Sequence, residues 1–198
     1  MSWGDDVIEL AAPATAVVPL GELAAHLRLS EGFSGGGDEV SRLDGAARAA
    51  SAAVEGMIGK ALIRRRFRWR VTRWRDPACA PLPAAPVSEV HGVTLVDAEG
   101  GWSAAEASAW ALQVDAGRPS LAGPGGRRLP AIPAGGRAEV EFTAGYGDDW
   151  NGVPEALRRA VMLLAAHYHE QRHAAGERLS ETPQGVAALV SPFRTVRL

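Results

Sequence analysis

The chain has 198 residues and a formal net charge of −2 at pH 7, with 46% hydrophobic and 22% charged residues. This composition is that of a folded globular protein; it excludes a disordered scaffold and argues against a surface built entirely for nucleic acid. No apolar run reaches the roughly 18 residues that span a membrane, and a single cysteine, Cys79, excludes an internal disulfide.

The N-terminal part, residues 1–62, predicts two amphipathic helices after a loose start. The loose start covers residues 1–17. Its first six residues lack the positive region of a secretory signal, so we expect a protein made and kept in the cytoplasm until it is assembled. Leucines share one face of a first helix over 19–29. Asp38 follows a glycine-rich loop and is the candidate N-cap of a second helix that ends near Leu62.

Small and apolar residues recur along this second helix in steps of three and four. They are Val40, Leu43, Ala47, Ala50, Val54, Met57 and Ala61. Such a stripe is a packing face, and its alanines allow a neighbouring helix to approach closely. The sequence leaves open whether that neighbour is the third helix of the same chain or another subunit.

The middle of the chain, residues 63–144, predicts a small antiparallel β unit inserted between the second and third helices. The hydropathy period changes to two where Phe67, Trp69 and Val71 alternate with Arg66, Arg68 and Arg70. Turn-rich segments separate further strand candidates at 87–96, 110–114 and 137–142. The strands should bury Trp69, Val71, Val93, Leu95, Leu112, Val140 and Phe142.

The last third predicts a strand, a sharp corner and a helix in close succession. Gly145 and Gly147 can supply the positive backbone angles of a corner, and Pro154 suits the first turn of a helix. The inner face of this helix should hold Leu157, Val161, Leu164 and Tyr168. We expect it to complete a bundle over 145–178, and the apolar segment 179–198 to leave the body as an arm.

The order of these segments resembles the head-to-tail connector, or adaptor, proteins of long-tailed phages and gene transfer agents. The resemblance rests on the helix at 19–29, the helix end Gly59-Lys60-Ala61-Leu62, the apolar turn at 81–87, the corner at 143–147 and the tail at 182–194. Each motif alone is common, whereas their order and spacing together cover about four fifths of the chain.

The resemblance implies an α+β subunit: a three-helix bundle with an inserted small antiparallel β unit and an extended C-terminal arm. It implies a homo-oligomeric ring, twelvefold in that family, below the portal protein of a particle that is assembled in the bacterial cytoplasm. The ring would link the portal to a stopper or tail-terminator protein and leave an axial channel for DNA. The expected activity is binding, with no catalysis, cofactor or membrane; phage and gene transfer agent remain open.

The C-terminal tail carries apolar side chains that need a partner if the tail leaves the body. We therefore expect the portal or another partner to be bound by Val186, Leu189, Val190, Phe193, Arg194 and Arg197.

The arginine-rich strand is a second candidate contact surface. Arg66, Arg68 and Arg70 would project at about 6.6 to 6.8 Å intervals, close to the spacing of phosphates along nucleic acid. The interpretations are ion pairs with acidic patches of a neighbouring subunit or partner, contact with DNA in the channel, and an ordinary solvated face. The alternative function here is a small nucleic-acid-binding protein that uses the seven arginines of 64–75.

A formal match to the zinc-peptidase pattern H-E-x-x-H spans His169, Glu170 and His173. It gives a zinc-dependent hydrolase as the other alternative. Counted from Leu157, the two histidines point about 120° and 160° away from the apolar face, which predicts that they are exposed. The candidate third ligands, Glu177 and Glu181, fall in a polar segment. We therefore expect no metal site and no catalytic residue.

Overall fold

The computed structural model describes residues 6–12, 17–28, 37–115, 117–171 and 183–194. In these residues the chain forms four α-helices and eight β-strands. The helices are α1 (Leu20–His26), α2 (Gly37–Ile58), α3 (Glu155–Gln171) and α4 (Gln184–Val190). The strands are β1 (Val7–Glu9), β2 (Arg65–Val71), β3 (Cys79–Pro81), β4 (Val87–Val96), β5 (Trp102–Ala104), β6 (Ala111–Gln113), β7 (Ser120–Ala122) and β8 (Arg137–Ala144). Contacts divide the chain into a helical unit within 15–58 and 146–198 and a β unit within 2–14 and 59–145.

The helical unit is built around α3, which packs against α1, α2 and α4. The predicted stripe on α2 is the packing face in its middle, where Leu43, Ala47, Ala50 and Val54 are buried. Small alanines there let α3 approach. The helix ends at Ile58, earlier than predicted, because Gly59 takes a φ of +67° and turns the chain out of the helix. None of the described helices is long and apolar enough to cross a bilayer.

The prediction of a three-helix bundle with an extended arm is wrong for the C-terminal segment, which forms the fourth helix, α4. Residues 184–190 form a helix that packs against α3 and α2, so the C-terminal segment is part of the helical unit. Pro183 precedes the first turn, where a helix needs no amide partner, and Pro192 follows its end. Val186 and Val190 lie one turn apart on the same face, and both are buried.

The β unit contains two antiparallel sheets. The larger has the strand order β1-β2-β8-β4-β5, and the smaller has the order β3-β7-β6. In the centre of the larger sheet Phe67 of β2 lies opposite Phe142 of β8, and their rings stack with centroids 5.6 Å apart. The predicted core is confirmed for Val93, Val140 and Phe142, which are fully buried, and holds in part for Trp69, Val71, Leu95 and Leu112, which pack half-buried against it.

The expected loose start is wrong for residues 7–9, which form strand β1. This strand covers the free edge of β2, with Val7 opposite Trp69 and Glu9 opposite Phe67. The Glu9 carboxylate also lies 3.0 Å from Nε of Arg65, a buried guanidinium that needs an anionic partner. A three-residue edge strand is too short to give a sequence signal of its own.

The corner after β8 depends on glycine in two different ways. Gly145 takes a φ of +140°, and a Cβ there would lie 2.4 Å from the backbone of Arg64. Gly147 does not need a positive φ; it needs the absence of a side chain, because its Cβ would lie 2.6 Å from Cα of Gly152. The carboxylate of Asp149 then accepts from the amides of Asn151 and Gly152 and caps the short turn before α3.

Candidate functional site

The arginines of β2 form a ladder of ion pairs with glutamates of β8. The register places Arg68 opposite Glu141 and Arg70 opposite Glu139. Nη2 of Arg68 lies 2.5 Å from Oε1 of Glu141, and Nε of Arg70 lies 3.1 Å from Oε1 of Glu139. Directly opposite residues of unlike charge stabilise an antiparallel pair of strands. The predicted alternation is confirmed, because Phe67 faces the core on the other side of the same strand.

Glu139 is the most enclosed member of this ladder, with 13% of its side chain exposed. Burial by itself would raise the pKa of this carboxyl, but the hydrogen bond from Arg137 and the charges of Arg70, Arg137 and Arg68 outweigh burial and hold the pKa below its ordinary value. The hydrogen bond to Glu141 raises the pKa of Arg68. Glu139 and Arg68 are therefore both charged near neutral pH.

The charged face carries more positive than negative charge. Among the ion-paired residues, Arg66, Arg68, Arg70 and Arg137 outnumber the carboxylates of Glu139 and Glu141 by two. Arg66 is the most available of them, with 52% of its side chain exposed and a distance of 3.7 Å to Glu141. The ion pairs that the sequence assigned to another molecule are thus made, for Arg68 and Arg70, within the same sheet. A role of the three arginines toward a subunit or DNA stays a prediction.

The predicted partner-binding residues of the tail fall into two groups. Val186 and Val190 are buried within the helical unit, whereas Leu189 and Phe193 are half-buried and Arg194 is exposed. Arg197 lies outside the described residues. This split follows from the helix: side chains one turn apart share a face, so burying one pair turns its neighbours outward. Portal or partner binding by these residues stays a prediction.

Phe193 closes the tail against the corner that precedes α3. Its ring meets Tyr146 edge-on, with centroids 6.3 Å apart, and burial raises the pKa of the Tyr146 hydroxyl to about 12. Nε of Arg194 donates to the carbonyl of Met57 at 3.3 Å. On the same unit, Nε1 of Trp150 donates to Glu22 of α1 at 3.1 Å. These contacts join residues that are far apart in the sequence, and no local sequence signal points to them.

The zinc-peptidase pattern is not assembled in the described residues. His169 is only 9% exposed, so the expectation that it faces solvent is wrong. His169 follows Val161 and Ala165 in steps of four, and both are fully buried, so the buried part of α3 is wider than the face predicted from Leu157. Glu170 is exposed, and His173, Glu177 and Glu181 lie outside the described residues. Within the part of the chain that the structure covers, no group of three or more His, Cys, Asp or Glu side chains could hold a metal ion.

Thr143, His91 and Glu89 lie in the order of the hydroxyl, imidazole and carboxylate of a catalytic triad, an arrangement that the sequence did not predict. Oγ1 of Thr143 lies 2.7 Å from Nε2 of His91, and Nδ1 of His91 lies 3.6 Å from Glu89. The second distance is too long for the hydrogen bond that would orient a catalytic imidazole. A bulge in β4 between Val90 and Gly92 brings His91 toward β8, which no sequence period could indicate.

The chain is similar along nearly its whole length to solved components of gene transfer agent particles. It is 44% identical to a chain in the neck of an empty gene transfer agent particle computed with C6 symmetry, covering 97% of this chain and 96% of that one, with a TM-score of 0.86. A chain from the virion of a native gene transfer agent particle gives 44% identity, the same coverage and a TM-score of 0.84. A chain from the neck of a native particle computed with C12 symmetry gives 40% identity, again with 97% and 96% covered, and a TM-score of 0.81. No family model matches the chain, and no curated protein matches it significantly.

Proposed function

The chain belongs to the same family as these neck components of gene transfer agent particles, and from this premise we propose that it is a structural adaptor subunit of such a neck. The observation that carries the proposal is sequence identity of 44% over 97% of the chain, with the fold retained at a TM-score of 0.86. In this role the protein joins the portal of the head to the stopper or tail components below it. Its activity is binding.

The symmetry of the related particles supports a homo-oligomeric ring. One related neck was computed with C6 symmetry and another with C12 symmetry. A ring of twelve copies satisfies both, because a twelvefold axis contains a sixfold one. Closed cyclic rings of this kind are built from one repeated head-to-tail interface. We therefore propose twelve copies around an axial channel.

The C-terminal segment is the proposed contact with the portal. Val186 and Val190 fix α4 on its own subunit, and Leu189, Phe193 and Arg194 remain at the surface of that fixed helix and the turn after it. A rigid, half-apolar patch with one guanidinium costs less entropy on binding than the free arm expected from the sequence. Arg197 completes the proposed portal-binding set.

The charged face is the proposed surface toward DNA in the channel. Its excess of two positive charges gives a weak, sequence-independent attraction to phosphates. A weak attraction suits a channel, because DNA must slide past the ring when it leaves the head.

The proposal is tested by producing particles in cells that lack this chain. We expect filled heads and free tails that fail to join, and restoration of complete particles by the full-length chain. A chain truncated after residue 182 should fold less stably and should not restore joining, whereas Leu189→Ala should keep the fold and reduce joining. Complete, transfer-competent particles formed without the chain would overturn the proposed function.

A further inference from the structure

A recess at one edge of the larger sheet has the chemistry of a partner-binding site. It has a volume of about 390 Å³ and lies where β2 ends, next to Asp6. Trp69 and Trp74 contribute to its lining and contact each other edge-on at 6.1 Å. Arg73 and Arg75, also in the lining, are exposed, and neither has an ion-pair partner among the described residues. Indoles beside unpaired guanidinium groups suit an aromatic, acidic ligand.

The hairpin between β4 and β5 carries such a ligand on the same molecule. Trp102, the first residue of β5, is 76% exposed, which is unusual for so large an apolar side chain. Glu99 is exposed at the tip of the hairpin. Asp97 shapes the turn, because Oδ1 accepts from the amides of Glu99 and Gly101. The hairpin therefore presents an indole and a carboxylate in a defined loop.

The register places the recess and the hairpin at the same end of the sheet and on opposite edges. Val71 of β2 pairs with Ala138 of β8, and Ala138 pairs with Leu95 of β4. The ends of β2 and β4 thus lie level across the sheet. With the strand order β1-β2-β8-β4-β5, the recess is beside β1 and the hairpin beside β5. Four strand spacings of about 4.8 Å, or about 19 Å, separate the two edges.

We infer that the hairpin of one copy docks in the recess of the next copy and forms the repeated interface of the ring. Trp102 packs on the indoles of the recess, and Glu99 pairs with Arg73 and Arg75. Complementary surfaces on opposite edges of one subunit give a heterologous, head-to-tail contact, the type that closes into a ring. The inference rests on the proposed function, because it names the contact that would hold the proposed ring together.

Directed disulfide formation in assembled particles tests this contact. Particles are produced with a chain in which Cys79 is replaced by alanine, and Glu99→Cys and Thr72→Cys are combined; Thr72 is an exposed residue of the recess. Oxidation should give a ladder of covalent multimers that disappears on reduction. The matched control combines Glu99→Cys with Ser88→Cys, since Ser88 is exposed at the opposite end of β4, and it should give no ladder.

Substitutions of Trp102 and of the charged residues test the same contact without cysteines. Trp102→Ala should weaken each contact by about 30-fold, as expected for a central aromatic anchor. Glu99→Arg, or Arg73→Glu with Arg75→Glu, should reduce the number of complete necks, and the three changes together should restore it. Circular dichroism must show each variant folded as the native chain.

The outcomes separate this inference from the proposed function. Complete particles that contain the chain but give no ladder with the first cysteine pair overturn the hairpin contact and leave the adaptor role standing. Cross-links from the recess to DNA, or to a protein other than this chain, also overturn it. Complete particles formed without this chain overturn the adaptor role and the hairpin contact together.

Discussion

At the scale of single residues, the ion-pair ladder makes a pH-dependent contribution to stability. The pKa of Glu139 is lowered in the folded chain from its ordinary value of 4.5. A lowered folded-state pKa means that the carboxylate stabilises the fold above the unfolded pKa, and that this stability is lost as the pH falls through the folded pKa.

Glu139→Gln should therefore reduce the free energy of unfolding by about 1 to 3 kcal/mol at pH 7, because it leaves Arg137 and Arg70 without their shared anion. Urea titrations between pH 7 and pH 3 check this, and the variant should lose less stability on acidification than the native chain. Glu141→Gln is the matched control; its side chain is 32% exposed, so the loss should stay below about 1 kcal/mol. Equal losses in the two variants would contradict the role given to burial.

The corner glycine is the second position where one residue decides local structure. Gly145→Ala should lower the free energy of unfolding by about 2 to 3 kcal/mol, because the added Cβ combines a strained φ with a clash against the backbone of Arg64. Gly56→Ala is the control. Gly56 lies inside α2 with open space around its Cα, and the change to alanine should raise the free energy of unfolding by about 0.5 to 1 kcal/mol. Thermal unfolding should show that Gly145→Ala lowers the stability and that Gly56→Ala raises it. An unchanged stability of the Gly145→Ala variant would contradict the close packing of the corner.

At the scale of elements, α4 separates stability from partner binding. Val186→Ala should destabilise the protein by about 2 kcal/mol through a cavity against its neighbours, whereas Leu189→Ala should cost less than about 1 kcal/mol because Leu189 is only half-buried. The joining of heads to tails should show the opposite order: at a temperature where both variants are folded, Leu189→Ala should reduce it more than Val186→Ala. Chemical denaturation and counts of complete particles measure the two effects. If Leu189→Ala assembles normally while Val186→Ala does not, the exposed side of α4 is not the portal contact.

At the scale of the whole molecule, charge limits how strongly the free chain can bind DNA. The net charge is −2, and the charged face has an excess of only two positive charges. The slope of log K against log salt for random duplex DNA should be no steeper than about −2, since each phosphate contact contributes about −0.9. Arg66→Glu should flatten this slope. Fluorescence anisotropy across a salt series measures it, and a slope near −5 would point to a dedicated nucleic-acid-binding protein.

The sequence by itself determined the types of the main elements and which faces of them are buried. The period of two in β2 placed Phe67 in the core and Arg66, Arg68 and Arg70 on the opposite face, because side chains alternate along a strand whatever surrounds it. The step of three and four placed Leu43 and Val54 inside the helical unit for the same local reason. The order of these segments was sufficient to indicate the family.

Only the tertiary structure decided which residues meet. The carboxylates that pair with Arg68 and Arg70 lie about 70 residues away in sequence, at separations of 73 and 69 positions, and the register of β2 against β8 selects them. The sequence of the tail predicts an extended arm, because a seven-residue helix has little stability in water until a surface covers its apolar side. The face of α3 around His169 was misjudged because helical phase gives direction but does not say how many neighbours surround the helix. Hydropathy patterns report what each segment needs to bury, and the fold alone supplies the partner that buries it.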